Sequence, residues 1–324
     1  MQATRIMMKA QGGPEVMEME DITLPPPGPG EVTLEQTAIG LNFLDLYQRS
    51  GAIPLPLPSP LGMEAAGKVV AVGEGVTDLT IEDRVAYAGV LGSYATARNA
   101  PAARMVKIPD GVSGEVAAAS LLKGLTVSYL MGRTYKVKAG DPVLFWAASG
   151  GVGQIAGQWG ADLGATMIGV TGGAENCALL RDLGYAHAID RTTEDVAARV
   201  REITDGKGVP VVYDSVGAAS YEASLDCLAP LGMFVSFGAT TGPVPPVPAG
   251  VLQAKGSLFF TRPTLVDYMR ARSDLDHAAS ELFDRLLAGT VRVNVNHRWP
   301  LSEMADAHIE LQSGRTTGST VLFP

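Results

Sequence analysis

Residues 147–153 read Ala-Ala-Ser-Gly-Gly-Val-Gly, which fits the spacing Ala148-x-Gly150-x-x-Gly153. Small residues at those places allow a tight turn, close approach of backbone to a pyrophosphate, and close packing of a helix on a strand. An apolar run precedes the turn at 142–148 and a helical pattern follows from Val152, so Gly150, Gly151, Val152 and Gly153 form a candidate dinucleotide cradle. Phosphate would rest on the free N–H groups that open the helix. About twenty residues beyond such a turn, an Asp or Glu commonly holds the ribose of NAD. This chain has Thr171, Gly172 and Gly173 there. Thr171 cannot accept two ribose hydroxyls as a carboxylate can, and its neutrality leaves room for a 2′-phosphate. NADPH is favoured. Glu175, near the same turn, could repel that phosphate or bind ribose, so NADH stays possible. Arg191, just past the third strand, is the candidate phosphate partner, because a guanidinium binds phosphate bidentately. Its alternative is a solvated loop arginine, and Arg315 is a more distant candidate.

The remaining inventory narrows the chemistry. Residues 1–176 contain neither Cys nor His, whereas catalytic zinc needs such ligands, supplemented at times by a carboxylate. His187, His277, His297 and His308 come late, show no metal-ligand spacing and read as surface or structural residues. No tyrosine precedes a lysine by four positions, which removes the Tyr-Lys pair of short-chain dehydrogenases. There is no G-x-S-x-G elbow, and Cys177 and Cys227 fall in helical patterns as packing residues. What remains is hydride transfer from a nicotinamide without zinc, with the protein supplying binding and orientation. A quinone suits this, being a strong electrophile that needs no Lewis acid.

The elements that must position these residues show in the apolar pattern. From 142 to 263, apolar runs at 142–148, 165–171, 186–190, 209–216, 232–238 and 257–262 alternate with helix candidates at 152–163, 175–183, 193–203 and 219–229. Such alternation predicts an α/β fold with a doubly wound parallel Rossmann sheet, its strands covered on both faces. Thr192 is expected to cap the third helix, with Asp195 answering it. The first ~120 residues show partial alternation broken by prolines at 24–29 and 54–60, as in a compact, mostly β domain. A helix at 114–135 bridges into the parallel sheet. Helices at 274–288 and 302–313, a strand at 291–297 and a closing strand in the last residues return to the first domain.

The chain has 324 residues, 46% of them hydrophobic, long enough for two domains with substantial cores. Its net charge of −9 and scattered Lys and Arg argue against a nucleic-acid partner. There is no secretory signal pattern and no apolar run of membrane-spanning length, so a cytoplasmic protein without a membrane partner is the expectation.

Motifs spread over nearly the whole chain resemble the quinone oxidoreductase (zeta-crystallin-like) branch of the medium-chain dehydrogenase/reductase family, close to the bacterial NADPH:quinone reductases. They include GGPEVME (12–18), AIGLNFLDLYQRSG (38–51), GMEAAG (62–67), LLKGLTVSYL (121–130), AASGGVG (147–153), VVYDSVG (211–217), SLDCL (224–228), VSFG (235–238), KGSLFFTRP (255–263) and TTGSTVLFP (316–324). Zinc-dependent relatives carry Cys where this chain has Asn42, and Gly-His-Glu where it has Gly62-Met63-Glu64. The resemblance implies a zinc-free branch. It implies a GroES-like catalytic domain from 1–122 and 264–324 around a Rossmann domain at 123–263, with NADPH in the cleft between them. Asn42, Phe43, Asp45, Tyr47, Lys123 and Thr126 would lie near the nicotinamide end, and Tyr129 would be close to the cofactor. The pyrophosphate would meet Gly151 and Val152. Ser215 joins the cofactor set, and Phe237, Gly238, Phe260 and Arg262 would flank the nicotinamide.

Of these, Asn42, Asp45, Tyr47 and Arg262 are the candidate catalytic group. The Asn42 amide could hold a substrate oxygen or merely satisfy a turn. Tyr47 could donate toward a quinone oxygen or simply pack. Asp45 reads as orienting its neighbours more than as an acid. Lys123 and Arg262 could be ion-pair partners, or could contact a phosphate or a quinone oxygen. At the adenosine end, Asn176 stands where the family usually has lysine and Arg191 where it has tyrosine, one charge lost and one gained. Family members commonly form homodimers by joining sixth strands, here 257–262. Two alternatives stay open: reduction of activated C=C bonds in enals or enones, and nucleotide or RNA binding with little catalysis.

Overall fold

The computed structural model describes residues 1–324. The chain divides into two compact units, one of residues 1–125, 269–288 and 293–324, the other of residues 126–268 and 289–292. The first unit opens with β1 (Gln2–Met8), β2 (Met17–Thr23), β3 (Glu31–Leu41), α1 (Phe43–Ser50), β4 (Ser59–Pro60), β5 (Glu64–Val72), β6 (Arg84–Ala88), β7 (Ala97–Pro101) and β8 (Val106–Lys107). Helix α2 (Gly114–Tyr129) carries the chain into the second unit, which holds β9 (Pro142–Trp146), α3 (Gly151–Asp162), β10 (Thr166–Thr171), α4 (Ala174–Asp182), β11 (His187–Asp190), α5 (Val196–Ile203), β12 (Val209–Asp214), α6 (Tyr221–Cys227), β13 (Leu228–Ser236), α7 (Ala249–Ala254), β14 (Phe259–Thr261) and α8 (Leu265–Tyr268). The first unit closes with α9 (Arg272–Leu287), β15 (Val295–Pro300), α10 (Met304–Gln312) and β16 (Ser319–Phe323).

In the first unit, β3 organises the larger sheet. Its whole length pairs antiparallel with β5 on one side. On the other side its first half meets β7 and its last residues meet β16, Thr320 opposite Leu41. The chain therefore leaves β3 pinned by β5 to Gly40 and by β16 to Leu41, and Asn42 opens α1 directly afterwards. Leu46 of α1 shares one buried cluster with Met304, Ala307 and Leu311 of α10 and with Ile39 and Leu41 of β3. The closing strand and helix thus fix the ground on which α1 stands.

The second unit is a six-stranded sheet in the order β11-β10-β9-β12-β13-β14, with every neighbouring pair parallel. This is the doubly wound order expected from the alternating pattern. Its strands are nearly continuous in apolar residues because both faces are covered, and Leu144, Ile168, Val170, Val212 and Phe234 are fully buried.

Several expectations are corrected. Thr192 does not cap the third helix of the sheet: its hydroxyl donates to Asp190 at 2.6 Å, and Asp195 caps α5 by accepting from the Ala198 N–H at 2.9 Å. The helix expected at 114–135 is α-helical to Tyr129 and widens into a π-helical turn over Leu130–Thr134. The strand expected at 291–297 lies at Val295–Pro300, because only those residues find partners on β16. Strand β13 starts at Leu228, earlier than the apolar run suggests, since Leu228 already pairs with Val209.

Gly153 shows why the cradle needs glycine. A Cβ there would stand 2.5 Å from the Ala148 carbonyl oxygen and 2.6 Å from its Cα, both backbone atoms that cannot yield cheaply. Gly153→Ala is expected to lower stability by about 1–3 kcal/mol, read as a lower urea midpoint with unchanged slope.

Candidate functional site

In the second unit, α3 begins at Gly151 with Gly150 as its N-cap, directly after β9. The first backbone N–H groups of a helix have no acceptor within it, and the helix dipole leaves partial positive charge there. Gln154 braces the turn, its amide donating to the Ser149 carbonyl at 2.8 Å. The Ser149 and Thr171 hydroxyls are 2.8 Å apart, which ties the turn to the end of β10. The arrangement fits a dinucleotide pyrophosphate: bare N–H groups, helix dipole, and no side chain in the way.

The turn at 171–173, expected to meet the adenosine end, is built around a carboxylate that sequence spacing did not identify. Asp190, last residue of β11, accepts from the Gly173 N–H at 2.9 Å and from the Thr192 N–H and hydroxyl at 3.0 and 2.6 Å. The Thr192 hydroxyl and the two backbone donors hold its carboxyl below the usual range. Asp190 therefore shapes the turn. The Asn176 amide donates to the Gly172 carbonyl at 2.8 Å, closing the same turn, and Glu175 is exposed. The exposed Arg191 guanidinium lies against Gly172, 3.4 Å from where a Cβ would stand. The 171–173 turn thus has the Arg191 guanidinium against it, and the Asp190 carboxylate is taken up by donors of the turn and of Thr192.

Farther along the sheet, Phe237 donates its N–H to the Asp214 carbonyl at 2.8 Å, and its ring lies 5.6 Å from that of Phe145. Gly238 passes so close to Ser215 that a Cβ would meet its carbonyl oxygen at 2.7 Å. Tyr129 stacks on Tyr268 at 4.5 Å between centroids, and the Arg133 guanidinium lies 5.2 Å above the Tyr268 ring. Burial pushes the Tyr129 phenol well up, opposed by the charge of Arg262 nearby. Phe260 is 38% exposed and stacks on Phe234 at 5.4 Å. Thr126 is buried.

The first unit gathers Asn42, Asp45 and Lys123 around residues whose role was not legible in the sequence: Glu64, Tyr94, Arg49 and His308. The Asp45 carboxylate reaches back to accept the Asn42 backbone N–H at 2.9 Å. Fully buried Glu64 accepts from the Asn42 side-chain amide at 2.9 Å and from the Leu122 N–H at 2.6 Å. The same amide nitrogen lies 3.4 Å from the Gly40 carbonyl, so its two protons are directed at Glu64 and Gly40, and the Asn42 side chain also completes a capping box with Asp45. Asn42 thus satisfies the turn that opens α1, the second of its two expected roles. Lys123 is 5% exposed, with Nζ 3.7 Å from Glu64, near enough to attract but too far for a hydrogen bond. Of the roles open to Lys123, the ion pair is the one formed. Tyr47 is half-buried beside Phe43, ring centroids 6.4 Å apart, and Arg315 is exposed beside Ser313.

Burial pushes the Asp45 carboxyl up to about 7, against the pull of the Asn42 N–H and Tyr94 hydroxyl. Burial also raises Glu64, with Lys123 opposing it. His308 had a sequence signal, four residues from Met304 and three from Leu311 on an apolar helix face; burial, then Arg49, pushes its imidazole down to about 3.

Residues 28–110 match the alcohol dehydrogenase GroES-like domain, and residues 183–322 the zinc-binding dehydrogenase domain. A quinone oxidoreductase of Pseudomonas aeruginosa is 50% identical over 99% of this chain and 100% of its own. A 2-haloacrylate reductase of Burkholderia is 45% identical over 97% of each chain. The crystal structure of Escherichia coli quinone oxidoreductase complexed with NADPH superposes with a TM-score of 0.97 at 46% identity, covering 99% of this chain and 100% of that one. No helix is long and apolar enough to cross a membrane, and no three His, Cys, Asp or Glu side chains gather where they could hold a metal ion.

An acid held protonated by burial binds its proton more tightly folded than unfolded. Asp45, moved from 3.8 to about 7, therefore weakens the fold progressively as pH rises between those values. Relative to wild type, Asp45→Asn should gain stability between about pH 4.5 and about pH 8, by on the order of 4 kcal/mol at most, read from urea unfolding at both pH values. A constant difference would contradict the raised native pKa.

Proposed function

The chain belongs to the quinone oxidoreductase family, and we propose that it is an NADPH-dependent quinone reductase working without a metal. The full-length likeness to an enzyme solved with NADPH carries this reading, and the glycine cradle of α3 fits that cofactor. NADPH when bound supplies hydride from nicotinamide C4. Gly151 and Val152 hold the pyrophosphate through their backbone N–H groups, and Arg191 meets the 2′-phosphate, with NADH a weaker alternative. Asn42 shapes the acceptor pocket, with Asp45 fixing its backbone and Glu64 its amide. Tyr47 offers its phenol as a hydrogen-bond donor to the quinone oxygen, and Arg262 offers a positive charge to the acceptor. The division of labour follows the family: residues 1–122 and 264–324 for catalysis, residues 123–263 for the cofactor.

The Burkholderia relative, named for reduction of a haloacrylate, favours a second reading in which the acceptor is an activated C=C bond. We further infer a homodimer joined along β14. That strand ends the sheet, and Phe259 and Phe260 stand 56% and 38% exposed on it.

Steady-state oxidation of NADPH and NADH with 1,4-benzoquinone and with an enone tests the reading. Quinone with NADPH should be fastest, and faster turnover of the enone would transfer the assignment to C=C reduction. Arg191→Ala should raise KM for NADPH about tenfold or more while leaving KM for NADH nearly unchanged, the size expected for losing a charge-assisted contact. Equal effects on the two cofactors would remove Arg191 from the phosphate. Light scattering at micromolar concentration should give twice the monomer mass, and a monomer would refute the joined edge.

A further inference from the structure

Behind Asn42 runs a buried chain of hydrogen bonds that none of the steps above uses. Arg49, on the last turn of α1, is held by the Gln312 side chain at 2.8 Å and the Gly12 carbonyl at 3.3 Å, and its Nη1 lies 3.1 Å from His308 Nδ1. A guanidinium only donates, so Nδ1 must accept. The neutral imidazole then carries its proton on Nε2, which lies 2.9 Å from the Tyr94 hydroxyl oxygen. With Tyr94 accepting there, its own proton points to Asp45 Oδ2 at 3.1 Å. The same Oδ2 accepts the Asn42 backbone N–H at 2.9 Å, while Oδ1 is buried without a partner. Each donor and acceptor in the series is thereby fixed in direction by Arg49. His308 and Asp45 have no exposed surface, and Tyr94 is 1% exposed.

The geometry points to His308 as a positioning residue: it acts through Tyr94 and Asp45 to hold the backbone of Asn42 at the reacting centre. The assignment rests on the reading above for where the reaction occurs, and the relay itself is independent of that reading. An ionised Asp45 accepts the Asn42 N–H more strongly than a protonated one. A tyrosine that accepts from His308 is the better donor to Asp45, which favours the ionised form. The groups around Asp45 come from every packed element: Asn42 and Arg49 on α1, Glu64 on β5, Tyr94 before β7, Lys123 on α2 and His308 on α10, with Glu15 acting on Arg49. Of these, Glu64 opposes ionisation and Lys123 favours it. Turnover should accordingly fall as pH drops through the Asp45 midpoint, and loss of His308 should move that fall to higher pH.

The test uses the full chain as wild type, His308→Leu, His308→Gln, Tyr94→Phe and the His308→Leu/Tyr94→Phe pair. Carbon-13 NMR of aspartate-labelled, cofactor-free protein reads the Asp45 midpoint, identified by the signal missing in Asp45→Asn. The second readout is the pH profile of kcat for NADPH oxidation by 1,4-benzoquinone. Expected is an upward midpoint shift of about 0.5–1 pH unit in His308→Leu, with the acidic limb of kcat moving by the same amount. His308→Gln, which can accept from Arg49 and donate to Tyr94, should restore both. In the Tyr94→Phe background, His308→Leu should add no further shift. An unmoved midpoint in folded His308→Leu, or an equal shift with Tyr94 absent, overturns the relay. If His308→Leu fails to fold, His308→Gln and Tyr94→Phe decide: a wild-type midpoint in the first and a raised one in the second support the relay, and any other pairing overturns it. Shifted midpoints with no quinone reduction would leave the relay standing and sink the proposed function instead.

Discussion

Two carboxylates with no exposed surface, Asp45 and Glu64, grip Asn42 from opposite ends, one at its backbone and the other at its side chain. Removing such groups from water is costly, and the surrounding donors offset the cost only in part. Glu64 takes the Leu122 N–H and the charge of Lys123, while Asp45 takes Tyr94 and leaves Oδ1 unpartnered. A purely apolar packing at this place would give a sturdier first unit. What the charges provide is a residue whose orientation cannot drift.

The frame around that grip follows from the order of the strands. Strand β3 is clamped by β5 on one side and by β16 on the other up to its last residue, so the start of α1 inherits a fixed origin. Helix α10 packs its apolar face beneath α1 and brings His308 to Tyr94. The chain's final segment is thus built into the ground beneath residue 42. In the second unit the equivalent origin is the junction of β9 and α3, where the Ser149–Thr171 pair and Gln154 hold the glycine turn.

How much of this a sequence discloses depends on the range of the interaction. Apolar runs and the helices between them are local patterns, and the expected doubly wound parallel sheet emerged with all six strands. Strand ends were less legible, because β13 and β15 begin where a partner strand is available and not where apolarity starts. The cap at Asp195 was missed in favour of Thr192 because both residues have capping side chains, and only the Asp190 contact decides between them. The glycine cradle was visible since all its parts lie within seven residues. The network at Asn42 was not, because residues 42, 64, 94, 123 and 308 meet only after the sheet closes. Its one local trace was a histidine on the apolar stripe of a helix.

Asp190 and Arg191 are neighbours in sequence with unrelated tasks: the first binds the Gly173 and Thr192 N–H groups that give the turn its shape, and the second only leans on it from outside. A mutation at 191 changes the charge presented to a ligand while the scaffold beneath keeps its form. Such a separation makes the turn evolvable: the charge beside it can change by a single exposed substitution, with no intermediate that must first lose its loop.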